Sequence, residues 1–133
     1  MHFKLQGVLF DLDGTLIDTS PDLAATLNHL LKEAKRPSLT LAEIREVAAE
    51  GIAGLLRLGF KLTHQDAEFS RLRQAFINYY SAHISESSIL YEGIPELLAY
   101  LSQRKLPWGI VTNKNTQLTQ LLLEKHEPLQ KTQ

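Results

Sequence analysis

Two short apolar runs, far apart in the chain, constrain the fold more than any other feature. Residues 5–10 are predicted to form a buried strand that breaks at Asp11, and residues 108–111 a second strand that ends at Thr112. The segment between them carries leucines and aromatic residues at helical spacing. Because strands joined through helices pair in parallel, the sequence predicts an α/β fold built on a parallel sheet.

Helix start signals divide the segment between the strands. Ser20 is predicted to be an N-cap, with Pro21 at the first helical position and Asp22 near the positive end of the helix dipole. Thr40 and Glu43 have the spacing of a capping box. The sequence therefore predicts that a helix begins at each of these two points.

Later helices are bounded by glycines and by a change in composition. Gly51 and Gly54 are expected to interrupt the helical pattern before a short leucine-rich helix. Residues 66–84 are predicted to form the longest helix, because one face repeats at steps of three and four: Phe69, Leu72, Phe76, Tyr79 and His83. From His126 onward the chain is polar and is expected to fray.

The helical segment is longer than a single crossover between parallel strands requires. Residues 18–89 are therefore predicted to form an inserted helical lobe, and residues 1–17 together with 90–133 the α/β core.

Composition excludes several classes of protein. The chain has 133 residues, about one domain's worth, with 14 Lys plus Arg against 15 Asp plus Glu, so its balance gives no support to a nucleic-acid partner. Cysteine is absent, which excludes disulfides, thiolate zinc sites and Cys nucleophiles. The sequence contains no signal-peptide pattern and no run of about 18 apolar residues, so we expect a cytoplasmic protein with no membrane partner.

The most specific candidate site follows the first strand. Asp11 and Asp13, two residues apart in an extended segment, point to one side at the sheet edge where open α/β folds bind ligands. Two such carboxylates can hold Mg²⁺, and a carboxylate can attack phosphorus. Gly14 would let backbone N–H groups approach phosphate oxygens. The alternatives are a simple Asp-Gly turn and a calcium loop, although the latter requires glycine where this chain has Leu16.

A second candidate site follows the second strand. The Thr112 hydroxyl and the Asn113 amide can bind phosphate oxygens without adding negative charge, and they belong to the same sheet edge as the aspartates. The alternative is a polar loop or helix cap. Lys114 could add a positive charge, but an exposed surface lysine is the favoured interpretation.

The two sites together resemble motifs of the haloacid dehalogenase-like (HAD) hydrolase superfamily: Asp11-Leu12-Asp13-Gly14-Thr15-Leu16 and Val111-Thr112-Asn113. The sequence looks most like the phosphoglycolate phosphatase group, which includes bacterial N-acetylmuramic acid 6-phosphate phosphatases. The resemblance extends over essentially the whole chain. It implies a partial Rossmann-like HAD core with an inserted α-helical cap, and a Mg²⁺-dependent phosphatase that acts on a small phosphorylated metabolite.

The resemblance also assigns roles to residues. Asp11 would be the nucleophile, and Asp13 would protonate the leaving alcohol and later deprotonate water. Asp11 and the main-chain carbonyl of Asp13 would bind Mg²⁺, while Thr112 and Asn113 would bind the transferring phosphoryl group. Within the cap, residues 50–54 would be a loop facing the site. A basic residue is expected near Ala53 in relatives, and Arg57 could replace it here.

The family pattern continues with a lysine, a Gly-Asp pair and a further acidic residue, none of which this sequence contains in that context. The chain is therefore expected to be the N-terminal part of such a phosphatase, with weakened Mg²⁺ binding, slow turnover and exposed sheet edges that favour self-association. Two alternatives stay open: a non-catalytic remnant or interaction module, and a phosphomutase or phosphotransferase of the same superfamily.

Overall fold

The computed structural model describes residues 3–131. Its strands and helices, in chain order, are β1 Val8–Phe10, β2 Ile17–Asp18, α1 Ser20–Glu33, α2 Leu41–Val47, α3 Gly51–Phe60, α4 Phe69–Ala82, β3 Ile89–Leu90, α5 Ile94–Gln103, β4 Trp108–Ile110 and α6 Thr116–Glu124. Short 3-10 turns occupy Ala48–Glu50 and Glu127–Lys131. Among these described residues, no helix has both the length and the apolar composition needed to cross a membrane.

The predicted parallel strand pair is confirmed. β1 and β4 lie side by side and parallel, with Leu9 opposite Gly109 at the centre of the register. β1 is shorter than predicted because it begins only where its partner segment begins, at the bond from the Val8 N–H to the Pro107 carbonyl (3.0 Å). Leu5 lies before that point and is exposed. The α/β fold class is therefore correct, on a sheet of two three-residue strands.

A second, antiparallel strand pair was not predicted from the sequence. Ile17 pairs with Leu90 and Asp18 with Ile89, so β2 and β3 join the two ends of the segment that carries α1 to α4. Each of these strands has two residues, too few for an alternating pattern to be recognised. The proposed domain boundaries at residues 17 and 90 stay a prediction.

The four helices between β2 and β3 pack on one another around a leucine-rich core. α1 contacts α2, α3 and α4, and buries one leucine stripe: Leu23, Leu27, Leu30 and Leu31. This core continues without a break into the residues that flank the parallel strands, where Leu12 and Leu16 are fully buried. The site residues that follow β1 are thus anchored by the same core as the helices.

The two helix start signals had different outcomes. The capping box is confirmed, because the Glu43 N–H donates to Thr40 Oγ1 (3.2 Å) and the Thr40 N–H to Glu43 Oε2 (2.8 Å). The Ser20 cap is wrong: Thr19 is the N-cap residue of α1, and its side chain makes no cap bond. Thr19 Oγ1 donates instead to Asp13 Oδ1 (2.6 Å), a partner that lies outside the helix.

The predictions for α3 and α4 require correction. Gly51 is the first residue of α3, and Gly54 lies inside that helix. A larger side chain does not fit at position 54, because an added Cβ would be 2.6 Å from Glu50 Cβ. α4 has 14 residues, the same length as α1 and shorter than predicted. Its buried stripe runs through Tyr80, whereas Tyr79 is only partly buried.

The expected fraying after His126 is also wrong within the described residues. The 3-10 turn Glu127–Lys131 packs against α6 and fully buries Leu129. The His126 ring lies 2.6 Å from Ser85 Oγ, and burial lowers the pKa of His126 below its usual value. The Gln130 amide also donates to the Leu123 and Glu124 carbonyls (3.1 Å each). Leu129, the His126 imidazole and the Gln130 amide therefore attach the polar segment to the rest of the fold.

Candidate active site

A cavity of about 250 Å³ opens where β1 and β4 end. One side is formed by Asp11, Asp13, Asn113 and Lys114, which follow the two parallel strands. The other side is formed by the Ala48–Glu50 turn and by parts of α1, α3 and α4. Because the carboxyl ends of parallel strands are the usual ligand-binding edge of such sheets, this cavity is the candidate active site.

The two aspartates differ in their surroundings. Asp11 is exposed, and its Oδ1 accepts from the Leu12 N–H (2.8 Å). Asp13 is partly buried, and its Oδ1 accepts from Thr19 Oγ1 (2.6 Å) and from Lys114 Nζ (3.0 Å). Asp11 is thus accessible for attack on a ligand, while Asp13 is held in place by two strong donors.

Lys114 is not the exposed surface lysine that the sequence favoured. Only 8% of its side chain is exposed, and its ammonium group lies 3.0 Å from Asp13 Oδ1 and 3.2 Å from Tyr80 Oη. The same nitrogen lies 4.6 Å from the centre of the Tyr80 ring, a cation–π distance. Lys114 therefore supplies a buried positive charge to the candidate site.

Tyr80 brings helix α4 into the site. Burial, with the charges of Asp13 and Asp22 as smaller causes, raises the pKa of Tyr80 well above its ordinary value. Its hydroxyl consequently keeps its proton further into the alkaline range than the hydroxyl of an exposed tyrosine. The sequence signal that could have identified Tyr80 is its position four residues after Phe76, on the same helical face.

Two predicted phosphate-binding residues do not line the cavity. Gly14 has the positive φ (80°) that its turn requires, but its N–H donates to the Ile17 carbonyl (2.9 Å). Thr112 Oγ1 accepts from the Lys114 N–H (3.1 Å), which is the local loop contact that was the alternative interpretation. The structure thus brings together Asp11, Asp13 and Asn113 on one cavity, without Gly14 and Thr112 on its wall.

The helical wall of the cavity is close to the predicted position but has a different conformation. Residues 48–53 line the cavity as a 3-10 turn and the first turn of α3, where a loop was expected. Arg57 does not line it, since its guanidinium pairs with Glu50 (2.7 Å). Arg73 on α4 is the arginine that faces the cavity, three and seven residues before Phe76 and Tyr80.

Carboxylate oxygens are the candidate Mg²⁺ ligands of the cavity. Within residues 3–131, no group of three or more His, Asp or Glu side chains converges as a metal site. Mg²⁺, however, is often bound through one or two carboxylates with the remainder supplied by water and substrate phosphate. Asp11 and Asp13 fit that smaller protein contribution.

The fold and the cavity together define a class: an α/β protein with paired carboxylates and a buried lysine at the ligand-binding edge of its parallel strands. A family model described as haloacid dehalogenase-like hydrolase matches residues 8–131. The chain belongs to this hydrolase family, and the resemblance drawn from the two strand-end motifs is confirmed.

Curated relatives are named as phosphatases. A phosphoglycolate phosphatase of Xanthomonas campestris pv. campestris is 41% identical over 119 residues, which cover 89% of this chain and 53% of that protein. An N-acetylmuramic acid 6-phosphate phosphatase of Pseudomonas aeruginosa is 35% identical over 124 residues, covering 93% of this chain and 55% of the relative. The chain thus spans about half the length of the curated relatives it matches.

Solved structures have the same fold. The crystal structure of a predicted phosphoglycolate phosphatase from Haemophilus somnus matches with a TM-score of 0.80 at 28% identity, over 91% of this chain and 57% of that one. A haloacid dehalogenase-like hydrolase from Bacteroides fragilis matches with a TM-score of 0.82 at 20% identity, over 92% of this chain and 58% of that one.

Proposed function

We propose that this chain carries the nucleophile half of a Mg²⁺-dependent phosphomonoesterase of the phosphoglycolate phosphatase kind. One observation carries the proposal: Asp11, Asp13, Asn113 and Lys114 meet on one cavity at the carboxyl ends of the parallel strands. Two carboxylates, an amide and an ammonium group supply a nucleophile, an acid–base group and donors for phosphoryl oxygens.

In the first proposed step, Asp11 attacks phosphorus. A carboxylate oxygen of Asp11 forms the new O–P bond as the bond from phosphorus to the ester oxygen breaks. Asp13 gives its proton to the departing alcohol, so the alcohol leaves neutral and Asp11 holds the phosphoryl group as an aspartyl-phosphate. The exposed position of Asp11 supports its role as the attacking group.

In the second proposed step, water releases the phosphate. Asp13 takes a proton from a water molecule, whose oxygen attacks phosphorus while the bond to Asp11 breaks. Both aspartates return to their starting protonation states, and inorganic phosphate is the product. The bond from Thr19 Oγ1 supports the role of Asp13, because it fixes the carboxylate that must act twice.

Charge on the phosphoryl oxygens would be balanced by this chain's donors and by the metal. Lys114 Nζ, now bonded to Asp13, would turn toward an entering phosphoryl group, and the Asn113 amide would donate to it. Mg²⁺, held by the Asp11 carboxylate and the main-chain carbonyl of Asp13, would supply positive charge to the transferring group. Helices α1 to α4, of which α1, α3 and α4 contribute to the opposite wall, would act as the substrate-enclosing cap.

The proposed substrate is a small phosphorylated acid. The relatives' names specify phosphoglycolate and N-acetylmuramic acid 6-phosphate, and both compounds are phosphomonoesters of a carboxylic acid. A cavity of about 250 Å³ lies below the usual range of roughly 300–1,000 Å³ for pockets that hold drug-sized ligands. The size therefore favours the smaller of the two compounds.

The test is hydrolysis of p-nitrophenyl phosphate at high protein concentration, with and without Mg²⁺. We expect a slow Mg²⁺-dependent rate, reduced at least about a hundredfold in Asp11→Asn because the nucleophile is lost. Asp66→Asn is the matched control, since Asp66 is an exposed aspartate outside the cavity. Equal rates for the native chain and Asp11→Asn, or no Mg²⁺-dependent rate in any protein, would contradict the proposal.

A further inference from the structure

The six arginines of the chain differ in whether they contact other side chains. Three form ion pairs and two stack on aromatic rings: Arg45 with Asp18, Arg57 with Glu50, Arg71 with Glu68, Arg36 on Phe60 and Arg104 on Tyr100. Arg73 has neither kind of contact within residues 3–131. As far as residues 3–131 are concerned, its guanidinium is therefore available to a ligand.

Arg73 also occupies a particular place. It lies on α4 in the same stripe as Phe76 and Tyr80, and all three residues line the candidate active site. Phe76 and Tyr80 are buried, whereas Arg73 is exposed. The stripe thus fixes the helix beside the cavity and leaves a charged, exposed side chain at its rim.

Apart from Asp11, whose carboxylate accepts only from the Leu12 N–H among the described residues, the other charged side chains of the cavity wall have charged partners. Lys114 donates to Asp13 (3.0 Å), and Glu50 accepts from Arg57 (2.7 Å). An entering phosphoryl group would compete for Lys114, on the strand side of the cavity. Arg73, on the helical side, is left as the uncommitted cation for a second negative group.

We propose that Arg73 determines substrate specificity by binding a carboxylate of the phosphorylated substrate. This inference rests on the proposed function. It adds that Arg73 selects the substrate and that the substrate's carboxylate is the group recognised. A guanidinium donates two parallel hydrogen bonds to a carboxylate, a geometry that a lysine cannot reproduce. The substrate class is then a phosphate ester of a small hydroxy acid, with its phosphate toward Lys114 and its carboxylate toward Arg73.

A pair of ligands isolates the contribution of the carboxylate. 2-Phosphoglycolate has a carboxylate where 2-hydroxyethyl phosphate has a neutral hydroxymethyl group, and the two compounds have the same chain length. Binding of each to the 133-residue chain with Mg²⁺ is measured by calorimetric titration, and ³¹P NMR of the same samples verifies that the ligand stays intact. We expect 2-phosphoglycolate to bind about tenfold or more tightly than 2-hydroxyethyl phosphate.

Substitutions on α4 assign that preference to one side chain. Arg73→Gln is expected to remove the preference and to leave the affinity for 2-hydroxyethyl phosphate within about twofold, while Arg73→Lys retains part of the preference. Arg71→Gln is the matched control, because Arg71 lies on the same helix but pairs with Glu68 and does not line the cavity. It should keep the full preference.

The outcomes separate this inference from the proposed function. Equal affinities for the two ligands in the native chain, or a preference that survives in Arg73→Gln, would overturn the role of Arg73 and leave phosphomonoester binding intact. Failure of both ligands to bind would overturn the proposed function and this inference with it. Loss of the preference in Arg71→Gln as well would show a general effect of charge on α4 and would also overturn the specific role of Arg73.

Discussion

The hydroxyl of Tyr80 lies in a buried, charged environment that links helix α4 to the strand-end residues. Lys114 Nζ lies 3.2 Å from it, and the ring stacks on Phe76 with a centroid separation of 6.2 Å. Burial and the nearby carboxylates of Asp13 and Asp22 raise the pKa of Tyr80 above its ordinary value of 10.0. The unfolded chain therefore releases this proton at a lower pH than the folded chain does.

A pH dependence of stability follows from that difference. Below pH 10 the contribution of Tyr80 is fully present, and above it the free energy of unfolding should fall by about 1.4 kcal/mol per pH unit as the unfolded state loses the proton. Urea denaturation at about pH 9 and pH 11 measures it. Tyr80→Phe, which keeps the ring, should lose about 1.4 kcal/mol less over this interval than the native chain.

Tyr100→Phe is the control for this experiment, because Tyr100 is 49% exposed on α5. It should show the same loss of stability between the two pH values as the native chain. If Tyr80→Phe and the native chain lose the same free energy of unfolding between the two pH values, the conclusion that burial raises the pKa of Tyr80 is wrong.

Single residues also explain which parts of the site could be predicted from the sequence. The capping box was predictable because Thr40 and Glu43 are only three residues apart in the sequence. The placement of Asp11 and Asp13 at the sheet edge was predictable because they directly follow a strand. The buried position of Lys114 was not predictable, since its partners Asp13 and Tyr80 lie 101 and 34 residues away along the chain. A lysine is ordinarily exposed, and only the packed fold shows this exception.

At the scale of single elements, the 3-10 turn Glu127–Lys131 leads to a prediction about the free energy of unfolding. Leu129 is completely buried against the α6 region, and a buried leucine truncated to alanine leaves a cavity. Leu129→Ala is expected to lower the free energy of unfolding by about 3 kcal/mol in urea denaturation. Leu97→Ala, at a 40% exposed position on α5, should cost less than about 1 kcal/mol. Equal, small effects would mean that the terminal turn is not packed.

Helical periodicity predicted elements more reliably than their ends or their buried faces. α4 exists where the spacing of Phe69, Leu72 and Phe76 placed it, yet Tyr80 is buried in place of Tyr79. Tyr79 and Tyr80 are the same type of residue, so their sequence does not show which one is buried. The tertiary contact of Tyr80 with Lys114 distinguishes them. The β2–β3 pair was missed for a different reason, because its pairing is a non-local contact between very short strands.

Within the described part of the chain, the parallel sheet has only the strands β1 and β4, so no further strand pairs with either of its outer edges. Exposed apolar side chains gather on and around β1 and β4: Phe3, Leu5, Leu9 and Val111, which are 88%, 56%, 74% and 60% exposed. Apolar residues and unpaired backbone groups at a sheet edge favour pairing with other chains. We therefore expect concentration-dependent self-association through this surface.

Size-exclusion chromatography with light scattering tests this expectation. The native chain should shift toward dimers or larger species as concentration rises, and the double variant Leu9→Lys, Val111→Lys should stay monomeric because charged residues block edge pairing. Leu97→Lys places the same charge on α5 and should associate as the native chain does. A native chain that is monomeric at every concentration would contradict the prediction.

The β2–β3 pair and the buried carboxylate of Asp22 hold together the two ends of the helical segment. Asp22 accepts from the Ser87 N–H (3.0 Å) and from the Ser88 hydroxyl, next to the point where β3 begins. The chain thus leaves and re-enters the region of the parallel strands at nearly one place. A different set of helices whose ends are equally close could therefore replace this one without a change in the positions of Asp11 and Asp13.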